Sequence, residues 1–251
     1  MQKIIAAALL CAAGLPLLAD AQDEDAQENF IYATYMFCDT SRQGEADEIF
    51  ERVEKPILEA ATTDGVITGW GWLVHHTGGQ WRRVRYHTAP TMEALLAGLD
   101  AIGEKMEEAM GDDDTFGQIC SAHDDYIWRS LAGAGGGALE EERGSVGIST
   151  YHVCEMARED RVDELVEKVF APIYDAHVGP GKLRSWGWSE HIVGGKYRRL
   201  STMTADDWPT LLRMRTAIFE AMDDADSALA DDFAEICGSH SDYLWEIAHE
   251  G

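Results

Sequence analysis

The stretch GWGWLVHHTGGQWRRVRYHT (residues 69–88) returns as SWGWSEHIVGGKYRRLSTMT (residues 185–204), a constant offset of 116. Trp70-Gly71-Trp72 matches Trp186-Gly187-Trp188, His75 matches His191, and Arg82-Arg83 matches Arg198-Arg199. Working outward, Tyr35, Cys38 and Pro56 meet Tyr151, Cys154 and Pro172 at the same offset. Further on, the offset grows by one residue, and Cys120-x-x-His123-x-Asp125-Tyr126-x-Trp128 matches Cys237-x-x-His240-x-Asp242-Tyr243-x-Trp245. So many bulky residues repeating in order mark an internal duplication.

Each copy carries the same pattern of elements. Residues 31–38 and 148–154 are rich in Tyr, Thr and β-branched residues and read as a first strand. Residues 45–61 and 161–177 have helical spacing, with Ile49, Val53, Ile57 in one and Leu165, Val169, Ile173 in the other. Pro56 and Pro172 fall inside those helices and should kink or shorten them. Residues 67–76 and 81–88 flank Gly78-Gly79 as a hairpin, and 183–192 with 196–203 repeat it around Gly194-Gly195. A second helix follows over 92–110 and 208–222, with Thr91 and Asp206 or Asp207 as N-caps. A short last strand covers 126–129 and 243–246.

The order β-α-β-β-α-β is the split pattern of ferredoxin-like folds. Two such modules in tandem resemble the dimeric α+β barrel superfamily, in which two sheets enclose a cavity. The resemblance rests on element order and duplication and covers residues 31–130 and 148–247, the first module being taken as 31–130 and the second as 148–251. It implies an α+β fold of two tandem ferredoxin-like modules forming a pseudo-dimeric barrel. In such a module the first and last strands are antiparallel neighbours. That places Cys38 beside Cys120 and Cys154 beside Cys237, so the resemblance implies a disulfide within each copy. A metal site or free thiols are the alternatives for these cysteines.

The flanks read differently. Residues 1–21 combine Lys3, an apolar run from Ile4 to Leu18 and a small-x-small site at Ala19-Asp20-Ala21, as a secretory signal does. Residues 22–30 read as a flexible N-terminus, and 131–147, glycine-rich and then acidic, as a linker. The expected location is periplasmic or secreted, with no membrane contact after cleavage. The formal charge of −26 argues against nucleic acid as a partner, because a phosphate backbone must be met by Lys and Arg.

Side chains alternate along a strand, so the hairpin sorts its residues onto two faces. With Gly78-Gly79 as a two-residue loop, Trp70 opposes His87, Trp72 opposes Arg85, Val74 opposes Arg83 and His76 opposes Trp81. This aromatic and basic face (Trp70, Trp72, His76, Trp81, Arg83, Arg85, His87) is the candidate ligand-binding wall of the inter-sheet cavity. The other face carries Gly71, Leu73, His75, Arg82, Val84 and Tyr86. The competing reading is that the Trp and Arg residues stack in a core joining the copies, which their recurrence as Trp186, Trp188 and Arg199 favours. Differences between copies point toward function: Arg85 against Ser201, Tyr86 against Thr202, His87 against Met203, and Met36 against His152. In the second copy Glu190 should pair with Arg199 across the hairpin. His75 and His191 face Arg82 and Arg198, which disfavours the imidazolium. His123-x-Asp125 and His240-x-Asp242 suit turn capping, and no established metal-ligand spacing appears.

No nucleophile elbow, phosphate loop or dinucleotide motif is visible, so catalytic residues are unassigned. The chain is expected to bind a small, partly apolar ligand in the inter-sheet cavity. One alternative, implied by the resemblance, is a small monooxygenase-like or haem-handling enzyme, with haem as the one cofactor it brings in. Another is an envelope module whose aromatic face meets a protein partner.

Overall fold

The computed structural model describes residues 29–135, 143–225 and 227–251. The expected signal at 1–21, residues 22–28 of the expected flexible N-terminus and residues 136–142 of the expected linker lie outside them.

Strands β1 (Phe30–Phe37), β2 (Gly69–Gly78), β3 (Arg83–Ala89), β4 (Ala122–Ala134), β5 (Val146–Val153), β6 (Ser185–Val193), β7 (Arg199–Ala205) and β8 (Ser239–Glu250) close into one antiparallel barrel. The order around it is β1-β3-β2-β8-β5-β7-β6-β4, with β4 returning to β1. Each half of the chain supplies four adjacent strands, and the halves meet at β2–β8 and β4–β6. The last strands are far longer than expected. β4 pairs with β1 from Ala122 to Arg129 and with β6 from Ile127 to Ala134, so its later part serves the other half. β8 does the same between β5 and β2. Both seams carry register shifts, the bulges that let a sheet curl into closure. Six residues of the expected linker are therefore strand, 131–134 in β4 and 146–147 in β5.

The helices pack outside the barrel. The first helical stretch of each half is α1 (Gln43–Ile49) and α2 (Lys55–Thr63), or α5 (Glu159–Leu165) and α6 (Ala171–Ala176). A π-helical turn, Phe50–Glu54 or Val166–Phe170, joins each pair. Pro56 and Pro172 follow these turns directly. Proline has no N–H and clashes with the carbonyl four residues back, and widening the preceding turn relieves both problems without breaking the helix. The second helices are α3 (Met92–Met110) and α7 (Trp208–Ala225). They are capped by Thr91, which accepts from Ala94 N at 3.1 Å, and by Asp207, which accepts from Thr210 N at 2.7 Å. Short helices α4 (Thr115–Ile119) and α8 (Ser227–Ile236), absent from the sequence reading, lead into the second cysteine of each half.

Disulfides join Cys38 to Cys120 and Cys154 to Cys237. Each cysteine pair brackets the β1–β4 or β5–β8 ladder, where Phe37 faces Ala122 and Val153 faces Ser239. At that end of the barrel the interior is filled by Tyr35, Trp81, Tyr126, Trp128 and their counterparts Tyr151, Tyr197, Tyr243, Trp245. The glycine hairpins exist to admit these rings. A Cβ on Gly194, at φ +145°, would stand 2.3 Å from the Tyr126 ring.

Candidate functional site

The hairpin register is as expected at its core: Trp70 faces His87, Trp72 faces Arg85 and Val74 faces Arg83. The β2–β3 ladder ends at Val74–Arg83, with one further bond from His75 N to the Arg82 carbonyl at 3.1 Å, while the β2–β8 ladder runs on to Gly78, so His76 and Trp81 are not paired. The expected face also points the other way. Trp70 and Trp72, each 1% exposed, pack with Phe50, Leu58 and Ile102 beneath the helices, outside the barrel. Of the proposed ligand residues only Trp81 reaches the interior, where it stacks on Tyr35 and Tyr243 within the aromatic plug. His76 is exposed at the hairpin tip, its ring 4.4 Å from that of Trp208. None of the seven lines the barrel cavity. Nor can the buried tryptophans present themselves to a protein partner.

What the helix-facing residues do is clear from their bonds. Asp47 of α1 accepts from Arg83 Nε at 2.6 Å and Nη2 at 2.5 Å, and from Trp72 Nε1 at 3.0 Å. In the second half Asp163 accepts from Arg199 Nε at 2.7 Å and Nη2 at 2.6 Å, and from Trp188 Nε1 at 2.8 Å. The recurring Trp–Asp–Arg set clamps a helix to a sheet in each half. Arg199 takes Glu159 as its second carboxylate, while Glu190 pairs with Arg129 across the β4–β6 seam. The expected Glu190–Arg199 pair therefore does not form, although the two residues are in register.

The other polar candidates are equally structural. Arg85 donates to the buried Glu54 at 2.7 Å. His87 lies 3.4 Å from the Leu95 carbonyl, and burial lowers its pKa to about 4. His75 and His191 contact Arg82 and Arg198 at 2.9 and 2.7 Å. Their pKa values are lowered by burial first and by the arginines second. His123 and His240 lie within strands rather than turns, each beside its own Asp125 or Asp242.

The cavity opens on the opposite face of the same strands. It has a volume of about 920 Å³ and lies above the aromatic plug, toward the end where β1 and β5 begin and β4 and β8 finish. Its walls differ by half. At equivalent positions the first half presents Ile31, Ala33, Leu73 and Tyr86, and the second presents Gly147, Ser149, Ser189 and Thr202. Gly71 and Gly187 are equivalent too. A Cβ on Gly71 would stand 2.3 Å from the Tyr86 ring, so Tyr86 occupies the space over that glycine. Over Gly187 stands the smaller Thr202, and the volume remains open. The result is one apolar wall and one wall of hydroxyls. Among the described residues, the Ser189 and Thr202 hydroxyls have no hydrogen-bond partner.

Charged groups at the cavity are paired. Arg143 bonds Tyr86 OH at 2.8 Å and meets Glu250 at 3.3 Å, Arg129 meets Glu190, and Asp175 accepts from Trp186 Nε1 at 2.8 Å. The tyrosines that line it, Tyr35, Tyr86 and Tyr151, all have pKa values raised, chiefly by burial. No histidine or cysteine is among the described residues of the lining. Of the groups that ligate haem iron, the described lining offers the phenols of Tyr35, Tyr86 and Tyr151 and the Met203 thioether, but no imidazole or thiolate.

No protein-family profile and no curated protein sequence matches the chain. Solved structures do. An anthrone oxidase-like protein matches with a TM-score of 0.59 and 14% identity over 90% of this chain and 94% of that one. A provisionally assigned monooxygenase from Fusobacterium nucleatum matches with 0.60 and 10% over the same shares, 90% and 94%. A chlorite dismutase variant from Candidatus Nitrospira defluvii gives 0.54 and 9% over 90% and 92%. At such identities the likeness speaks to the fold alone. The chain is an α+β protein with a closed eight-stranded barrel, and the structures it is similar to are of the dimeric α+β barrel type.

Proposed function

We propose that this protein is an exported binding protein that holds a small, uncharged, partly apolar molecule in its barrel cavity. Its two repeats then act as the covalently joined counterparts of a dimer's protomers. The observation that carries this is the split wall, with Ile31, Ala33 and Leu73 on one side and Ser149, Ser189 and Thr202 on the other. A ligand with one apolar and one hydroxylated edge has a single favoured orientation in such a space. Because Arg143 is paired with Glu250 and Arg129 with Glu190, and Asp175 is bonded by the Trp186 indole, a neutral molecule costs less to bury there than an ion. Export accords with two disulfides and with the absence, among the described residues, of a helix long and apolar enough to cross a membrane.

The test is native mass spectrometry on protein purified from its own host, beside the variant Thr202→Tyr. Tyr86 already sits over Gly71 in the first half, so a tyrosine over Gly187 should fold and fill the open volume. Wild type should carry or take up a small molecule and the variant should not. Equal uptake by both, or none by either, would sink the reading. A second reading, an oxygenase acting on a cavity-bound aromatic, draws on the names of the similar structures and on the Tyr86–Arg143 pair beside an apolar wall. Oxygen consumption dependent on an added aromatic substrate, and abolished by Thr202→Tyr, would favour it.

A further inference from the structure

Three parts of the chain converge on one point of the cavity wall. Tyr86 comes from β3, Arg143 from the segment before β5, and Glu250 from the end of β8. Arg143 donates from Nη2 to the Tyr86 oxygen at 2.8 Å, its Nε lies 3.3 Å from Glu250, and its backbone N donates to Glu250 at 3.0 Å. Arg143 is thus held at both main chain and side chain. The next residue, Gly144 at φ +96°, passes so close to Ala205 that a Cβ would stand 2.4 Å from its carbonyl oxygen. The guanidinium cannot easily swing away.

The Tyr86 oxygen accepts from Arg143, and among the described residues nothing accepts the Tyr86 proton. Burial raises the phenol's pKa, so that proton stays on. Neither is the Arg143 Nη1 amino group spent on a described partner. A hydroxyl that accepts from a guanidinium becomes a stronger donor, because the cation withdraws density from its oxygen. The second half has no equivalent: Thr202 stands for Tyr86. The geometry points to a recognition site in which Tyr86 O–H, backed by Arg143, donates to an acceptor-only oxygen, and so to a neutral carbonyl compound as the ligand class. This rests on the cavity-binding reading and sharpens it. The carbonyl end lies at Tyr86, the apolar body along Ile31 and Leu73, and any hydroxyls toward Ser189 and Thr202.

Two neutral flat probes separate the cases: Nile red, which carries a carbonyl, and pyrene, which carries no oxygen. Wild type should bind both, with the carbonyl stretch of bound Nile red shifted down as hydrogen bonding requires. Tyr86→Phe should weaken Nile red about tenfold, the worth of one well-placed donor, and return the stretch to its unbonded frequency. Pyrene should bind that variant as it binds wild type. Arg143→Met should weaken Nile red in the same direction, with thermal melting to show that the fold is kept. Equal loss of both probes, or an unbonded carbonyl in wild type, overturns the inference while leaving cavity binding intact. Failure of wild type to bind either probe overturns both.

Discussion

Removing Asp47 should hurt this protein more than removing Asp163, although the two carboxylates do the same work in their halves. Arg83 is buried, with a side chain 4% exposed, and among the described residues Asp47 is its only carboxylate; its other acceptors are Gln43 and the Arg82 carbonyl. Asp47→Ala therefore strands a buried guanidinium among neutral groups and orphans the Trp72 N–H. Breaking a buried pair from one side costs about 3–5 kcal/mol, and Asp47 is partly exposed, so about 3 kcal/mol is the expectation. Arg199 is as deeply buried, but Glu159 remains 3.1 Å from its Nη1 when Asp163 is lost. That residual charge should cut the cost of Asp163→Ala to about half. For a chain of this size the two variants should melt about 6–12 °C and about 3–6 °C below wild type. Thermal unfolding followed by circular dichroism, with disulfides intact, measures both. Equal losses, or a loss under about 1 kcal/mol for Asp47→Ala, would refute the claim that these clamps hold helix to sheet.

Acid should destabilise the fold through two buried histidines. His87 and His152 are each lowered to about 4, chiefly by burial, with Arg85 adding to the effect at His87 and His240 at His152. The unfolded chain protonates them near ~6.5, so their contribution is full above that pH and drains as pH falls toward the folded values, by about 3 kcal/mol for each. His87→Met and His152→Met, which copy Met203 and Met36 of the opposite half, should flatten urea-unfolding stability between pH 6.5 and 4; an unchanged slope would count against burial as the cause. Replacing Cys38 and Cys120 with serine opens a loop of sequence separation 82 and should cost about 4 kcal/mol on the loop-entropy account, read as a lower urea midpoint. Gly71→Ala places a methyl against the Tyr86 ring and should cost about 1–3 kcal/mol. It should also move the ring's signals in aromatic NMR, whereas Gly44→Ala, with nothing within 4 Å, should do neither.

Element order and the hairpin register at Trp70–His87 were legible in the sequence because they follow from local patterns. A period of two and a pair of glycines need no tertiary knowledge. The disulfides followed from the topology that the resemblance implied. The ends of β4 and β8 were not legible. Leu131 to Ala134 are strand only because β6 of the other half lies beside them, and glycine-rich sequence alone reads as linker. The π-helical turns were half legible, since proline announced a disturbance without saying that the helix would widen rather than break.

The candidate site failed on one further point, and the reason is general to barrels. Alternation says which side chains share a face but not which face lies inside. Trp70, Trp72, Arg83 and Arg85 looked like a ligand wall because they are large and polar-tipped, yet a layer of amphipathic helices needs such a surface to lie on. A barrel interior crowded at one end by Tyr35, Trp128 and their counterparts needs small residues at the other end if it is to hold anything. The glycines at 147 and 187 were that signal. The copies diverge on both faces. Arg85 against Ser201 and His87 against Met203 alter how a helix packs, whereas Leu73 against Ser189 and Tyr86 against Thr202 alter what the cavity can hold. A duplication frees one copy of a wall to change while the other keeps the barrel closed. Here the second half carries Gly147, Ser149, Ser189 and Thr202 where the first carries Ile31, Ala33, Leu73 and Tyr86, a difference in what the two walls offer the cavity rather than in how the helices pack.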